Sequence, residues 1–583
     1  MLKEYLAAHP LRSLLCDELE LGFEDVAWDG ADASIHEMIV RYRSVEYPLL
    51  TAAQYAAFAR SGDRAVFERP YFLRRRKLIA ALMGCLTGDA PADLDALIDG
   101  LWLICEESTW VVSAHNGGEH AGVEPTPPRA LPDVERPYVD LFSAQTAMIL
   151  SLTCRLAKGI PPLVRQRVQN EIERRVLVPF ETRDDFWWMG FIRKDLCNWT
   201  PWIVSNVMLT ACVWIDDRDR LCALLERGCG MLDRYLDSLP GDGSCDEGPG
   251  YWSMAGGALL DCLELLERVT GGRLSFWEDK KLRNILRFPL NTWLGGDWFM
   301  NFADCDAKPD IPGERLQFAG EKLGDPALTA FGARFRGDPA RLIEDTPQLW
   351  RLLNELTHAH VTDTTEPLPP DDVWMPDLEV RILCRDGLTL VCKGGVNEGS
   401  HNHNDCGSFM VLVDGAPQIV DAGNMTYTGA TFSDKRYTLW NTRSAYHNVP
   451  LIGGFEQVNG WDRCAKDVRA DACGLSMDLR NAYPEAAGLR AFARELRLEG
   501  GAVVLHDAIE TDAPQPVTEV FLMRYWPGMR ILPGEAMDMA VEEIPVVDPR
   551  MSKSFPGSLW RLTLTAPAAQ NHSITIRIER GPA

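Results

Sequence analysis

The sequence predicts an α+β protein of two segregated domains, a helical one followed by one of antiparallel strands. Three observations carry this expectation. Amphipathic helical periodicity dominates up to about residue 360. A stretch with four prolines and several acidic residues, TTEPLPPDDVWMPD at 364–377, then reads as a linker. Beyond it, alternating apolar runs flank Asp-Gly pairs, the strongest short-range hairpin signal. A length of 583 residues also exceeds what one core normally serves. The expected domains are residues 1–366 and 377–583.

In the helical part, PPLVRQRVQNEIERRVLVPF opens with prolines and sets Val164, Val168, Ile172 and Val176 on one stripe at i, i+4 spacing. DLFSAQTAMILSLTCRLAKG, RDRLCALLERGCGMLDRYLDSLP and ALLDCLELLERVTGG read the same way, the first and last with glycine caps. Successive helices joined by short turns predict stacked antiparallel pairs, a toroid or a bundle. In the second part, VRILCRDGLTLVCKGG and SFMVLVDGAPQIVDAG are the predicted hairpins, and ARELRLEGGAVVLHDAIE and SITIRIERG continue the strands.

Composition narrows the function. A net charge of −25 argues against a nucleic-acid binder, which needs a basic face to displace counterions, but leaves room for an acidic ligand in a locally positive cleft. No run of about 18 uncharged apolar residues predicts a membrane span. The N-terminal stretch carries charges among its apolar positions, unlike a secretory signal, so a cytoplasmic location is expected. The 16 cysteines are scattered singly with no C-x-x-C pair, which predicts reduced, mostly buried thiols.

Four segments carry more polar and aromatic residues than packing needs: CEESTWVVSAHNGG (105–118), DDFWWMGFIRKDLCNWTPW (184–202), DGSCDEGPGYWSMAGG (242–257), and the stretch from EGSHNHNDCGSF (398–409) to FSDKRYTLWNTRSAYHN (432–448). Core packing accounts for any one of Trp187, Trp188, Trp199, Trp202 and Trp252. Crowded beside Arg193, Lys194 and Asn198, some would serve as stacking platforms for acidic sugars. Gly248-Pro249-Gly250 permits an unusual backbone path that would project Tyr251 rather than pack it, and a tyrosine can work as acid and base. If His401 and His403 lie on a strand, two residues apart, they face the same side and could share one metal. Asp421 and His447 could instead complete a His-Asp-His set with His403, a donor mixture that suits zinc, and leave His401 for proton transfer.

These segments resemble the heparinase II/III-like polysaccharide lyases over nearly the whole chain, through CEESTW, DLFSAQTA, DFWWMGF, NWTPW, DGSCDEGPGYW, NFAD, HNHNDCGSFMVLVDGAPQIVDAG, TYT, TFSDKRYTLW and SAYHNVP in one order. The resemblance implies an N-terminal α/α toroid, an incomplete barrel, and a C-terminal antiparallel β-sandwich. It implies β-elimination of uronic-acid glycans and one structural divalent metal, zinc or manganese. By position it assigns catalysis to Asn198, Tyr251 and His401, and metal ligation to His403, Asp421 and His447. His115 matches a substrate-facing position, Trp199 and Arg193 fall in the tryptophan-rich loop, and Tyr437 and Arg443 lie in a cleft-lining segment.

Other readings compete. An oligoalginate lyase would use the same residues. HNHNDC approaches the ligand string of a metal-dependent hydrolase, whose fold would need alternating strands and helices around it. A glycosidase would use Glu106, Glu107, Asp246 or Glu247. A non-catalytic sugar-binding protein would keep the tryptophans but has no use for Tyr251 and His401 together.

Overall fold

The computed structural model describes residues 2–581 except 24–25, 27, 29–32, 89–90, 118–128, 345, 400, 429, 432, 434 and 525–527. Its contacts group into two compact units, one of Met1–Leu239, Ser253–Asp279 and Pro312–Glu366, the other of Pro240–Trp252, Lys280–Ile311 and Pro367–Ala583. The expected division at residue 366 therefore needs a correction, because 240–252 and 280–311 group with the strands. Their bonds run there: Asn301 Nδ2 donates to Asp421 O at 3.0 Å, and Arg550 Nε to Asp306 Oδ1 at 2.8 Å.

The first unit is helix on helix. Leu141–Leu156, Trp199–Trp214 and Gly256–Val269 are buried on nearly every side, as the inner layer of an α/α toroid must be. Pro162–Ile172 and Arg218–Ser238 bury one stripe each and form outer-layer helices. The predicted stripe Val164, Val168, Ile172 and Val176 is buried throughout, its last member in a π turn, Glu173–Leu177. Leu141–Leu156 starts at a capping box in which Ser143 N donates to Asp140 Oδ1 at 2.7 Å and Asp140 N donates to Ser143 Oγ at 2.9 Å. Its expected glycine cap is absent, since the chain turns extended at Ala157, whereas Gly256–Val269 does run into left-handed Gly271 and Gly272.

The second unit is a strongly curled antiparallel sheet. Strand Ala502–Met523 is its spine, paired with Leu489–Glu499 on one side and Ser558–Arg580 on the other. Both predicted hairpins form: Asp386-Gly387 joins Val380–Arg385 to Leu388–Lys393, and Asp414-Gly415 joins Phe409–Val413 to Ala416–Ile419. All four turn residues have φ between 50° and 76°, the type I′ geometry that matches strand twist. This all-antiparallel setting is not the alternating one a metallohydrolase string requires.

The sheet core encloses one fully buried cation. Arg494 pairs with Asp507 at 2.6 Å and Glu519 at 3.1 Å, and donates to Gly407 O at 3.0 Å and Asn448 O at 2.9 Å. Asn448 in turn donates to Phe409 O and Val420 O and accepts from Leu522 N at 2.7 Å. Through these two residues the sheet pins the chain just after His403, before Asp421 and after His447. Loops with few backbone bonds of their own are thereby tied to the sheet by buried hydrogen bonds.

Candidate active site

His401 and His403 lie on a loop, between Val396–Asn397 and Phe409–Val413, rather than on a strand. The same-face argument, which assumes extended strand backbone, does not apply there, because His401 adopts a left-handed conformation, φ 58°. Both imidazoles nevertheless end on one carboxylate. Asp304 Oδ2 lies 3.0 Å from His401 Nδ1, and Asp304 Oδ1 lies 3.0 Å from His403 Nε2 and 2.9 Å from Arg436 Nη2. Burial works to raise the Asp304 carboxyl, but hydrogen bonds from His401, His403 and Arg436 and the charge of His403 hold it well below the usual range. Its preceding residue, Ala303, is also left-handed at φ 64°, so two strained positions flank the cluster.

The phenol expected to meet His401 is present. The rings of Tyr251 and His401 are 4.9 Å apart, and Tyr251 Oη hydrogen-bonds Tyr427 Oη, which lies 3.2 Å from His401 Nδ1. Gly248 permits the approach: at φ 80°, any Cβ there would come within 2.9 Å of Cys305. Burial, then Tyr427 and Glu247, push the Tyr251 phenol far up, while burial takes Tyr427 to about 12. Both are protonated at neutral pH. The charge of Arg550, its guanidinium 5.4 Å from the centre of the Tyr427 ring, opposes this. Because ionised Asp304 accepts from Nδ1, His401 presents Nε2 as its basic nitrogen, 3.5 Å from Glu247 Oε1. Burial pushes Glu247 up to about 7, with His401 opposing and Asp246 and Asp304 assisting.

His403, Asp421 and His447 are all fully buried, and one ligand atom from each lies within 4.8 Å of the other two. His447 Nδ1 is 2.9 Å from Asp421 Oδ2, and Gly423 N donates to Asp421 Oδ1 at 2.8 Å. His403 Nδ1 and His447 Nε2 are buried without a hydrogen-bond partner. Two orphaned imidazole nitrogens beside a carboxylate fit a divalent ion, with Asp304 orienting His403 from its far side.

The remaining predicted residues fall in two groups. In the helical unit, His115 Nδ1 lies 2.7 Å from Asp140 Oδ2 and its ring 4.7 Å from that of Trp199, which in turn lies 5.0 Å from Trp187. Trp188 and Trp202 are core residues, as is Trp252 of the other unit, so Trp187 and Trp199 alone of the five remain partly exposed. Arg193 lies 5.4 Å from the Trp187 ring centre and is paired with Asp195. Asn198 stands at the N-terminus of Trp199–Trp214, and no hydrogen bond engages its carboxamide among the described residues. In the sheet unit, Tyr437 is half-buried beside Asn402, and Arg443 is spent on an ion pair with Glu456. Asp304, Tyr427 and Arg436 are the partners of His401 and His403 that no sequence assignment reached. Their segments, NFAD, TYT and TFSDKRYTLW, carried the family resemblance, but nothing in their spacing marks a role.

Residues 367–539 match the family described as Heparinase II/III-like, C-terminal. Among solved structures, a heparinase III gene product superposes with a TM-score of 0.61 at 11% identity, covering 94% of this chain and 88% of its own. The heparan sulfate lyase HepC of Pedobacter heparinus gives a TM-score of 0.61 at 13% identity, covering 100% and 87%. A mutant chondroitin AC lyase of Streptomyces coelicolor A3 gives 0.50 at 12% identity, covering 96% and 83%. At such identities the likeness is one of fold. No curated protein matches the sequence.

Proposed function

We propose that the protein, whose residues 367–539 match the family described as Heparinase II/III-like, C-terminal, is a polysaccharide lyase that cleaves uronic-acid-containing glycans by β-elimination. The observation that carries the reading is the linked set Tyr251, Tyr427, His401 and Asp304, an acid and a base wired to one ionised carboxylate.

Elimination removes the proton on carbon 5 of the uronate, breaks the bond from carbon 4 to the glycosidic oxygen, and protonates that oxygen. His401 takes the carbon proton on Nε2, its Nδ1 held by Asp304, which stabilises the imidazolium that results. Tyr251, kept protonated by burial, gives its proton to the leaving oxygen. For the opposite epimer, whose carbon proton points to the other face, Tyr251 becomes the base only after its own phenolic proton has passed to solvent, which the charge of Arg550 favours, and it then hands the carbon proton to the leaving oxygen, a division of labour between the two groups. Asn198, with its donors unspent, neutralises the substrate carboxylate so that the enolate-like charge can develop. Trp199, His115 and Trp187 offer ring surfaces to neighbouring sugars.

His403, Asp421 and His447 would hold a divalent ion, zinc by donor type with manganese as the alternative. When bound it would fix the loop that carries His401. The glycosaminoglycan lyases among the structural neighbours favour heparan sulfate or chondroitin over alginate as substrate. Purified protein is incubated with heparan sulfate, chondroitin, hyaluronan and alginate and followed at the ultraviolet absorbance of unsaturated uronate. Product with that absorbance supports the proposal. New reducing ends without it would mean hydrolysis and overturn it.

A further inference from the structure

The helix Leu349–Thr357 ends in a second His-x-His pair, His358 and His360, that the lyase chemistry does not use. Facing it is Glu321 on helix Gly313–Leu323. His358 Nε2 lies 2.7 Å from Glu321 Oε2, and His360 Nδ1 lies 3.4 Å from Glu321 Oε1. One ligand atom from each of the three falls within 4.8 Å of the others. Val361 N also donates to Glu321 Oε1, at 2.9 Å.

We propose that Glu321, His358 and His360 bind one divalent transition-metal ion, zinc by donor type, which clips the end of Leu349–Thr357 to Gly313–Leu323. The tautomer of His360 points to it. Its side chain is only 4% exposed, and Nε2 lies 3.1 Å from Glu355 Oε2, a carboxylate itself held by Arg336 Nε at 3.0 Å. An imidazole that donates Nε2–H to a carboxylate turns a lone pair outward at Nδ1, the arrangement that orients metal-binding histidines. That Nδ1 is buried and has no hydrogen-bond partner, and it faces a carboxylate oxygen. Two electron-rich atoms opposed in this way are stabilised by a cation between them.

The spacing fits. Ligand atoms about 2.0–2.1 Å from a tetrahedral zinc are about 3.3–3.4 Å apart, the separation of His360 Nδ1 and Glu321 Oε1. His358 Nε2 lies 2.7 Å from the other oxygen, Glu321 Oε2, and reaches an ion held at Oε1 by a side-chain rotation, open to a residue that is 31% exposed. That exposed side leaves room for water as the fourth ligand. Two imidazoles and one carboxylate select zinc or cobalt over magnesium or calcium.

The alternative is an imidazolium at His360 bridging Glu321 and Glu355 with no metal. Chelator-stripped full-length protein is reloaded with zinc and its metal content measured for wild type, His358→Gln/His360→Gln and His403→Gln/His447→Gln. The first variant is expected to hold one equivalent less than wild type. The second, loaded with cobalt, is expected to keep the visible absorption of a tetrahedral ion, and Glu321→Gln added to it to abolish that absorption. Equal metal content in wild type and His358→Gln/His360→Gln overturns the proposal, as does a wild type that takes up no metal. If the double histidine variant does not fold, Glu355→Gln decides: zinc affinity about 10–100-fold weaker supports the site, and unchanged affinity overturns it.

Discussion

Asp304 accepts from His401 Nδ1 at 3.0 Å, across 97 residues of sequence, and so sets which nitrogen of that imidazole is basic. The same carboxylate holds His403, so the group proposed for proton transfer and the group proposed for metal binding share one support. Asp304→Asn keeps the shape but can no longer act as the ionised acceptor. Turnover on a cleavable glycan is expected to fall about 10²–10⁴-fold with KM little changed, and the kcat pH profile to shift. A loss confined to KM would argue against the positioning role.

Tyr251→Phe removes the phenolic proton and one hydrogen bond, to Tyr427, while the ring still packs. Turnover is expected to fall at least about 10²-fold on every substrate, with the melting temperature within a few degrees of wild type. His401→Asn, chosen because asparagine tolerates the left-handed φ of 58°, is expected to abolish cleavage of one uronate epimer and spare the other. Equal losses on epimer-defined oligosaccharides would reject the division of labour.

Glu247 gives a stability change with a defined sign. Its carboxyl is raised from 4.5 to about 7 by burial, so folding favours the protonated form. Below about pH 4.5 both folded and unfolded chains carry the proton and nothing is lost. Between that value and about 7 only the unfolded chain ionises, so stability falls with rising pH, by about 3 kcal/mol in full. Glu247→Gln is expected to match wild type at pH 4 and to exceed it by about that amount at pH 8, read by denaturant unfolding at both pH values.

Asn448 satisfies three buried backbone groups, from Phe409, Val420 and Leu522. Asn448→Ala leaves all three unpaired, at about 1–3 kcal/mol each. A loss of at least about 3 kcal/mol is expected in chemical denaturation. Retention of the ion proposed at His403, Asp421 and His447 should fall with it, because Asn448 follows His447 and holds Val420, the residue before Asp421.

Much of the architecture is readable along the chain. The Val164, Val168, Ile172, Val176 stripe needs only helical spacing to be recognised, and Asp386-Gly387 and Asp414-Gly415 need only the backbone preferences of their residues. These signals are local. Whether His401 and His403 share a strand face stays open along the chain, because HNHNDCG has no apolar periodicity to decide it and a left-handed histidine leaves no mark in composition.

The sequence by itself determined the two kinds of secondary structure and the hairpin turns, and it offered the grouping of His403, Asp421 and His447 as one of two open possibilities. Only the tertiary structure decided that residues 240–252 and 280–311 group with the strands, that Asp304, Tyr427 and Arg436 support the histidines, and that Arg443 is consumed by Glu456. Helices and turns arise from interactions within a few residues. Asp304 reaches His401 and His403 across 97 and 99 residues, where only the packing of the whole sheet unit selects the partner.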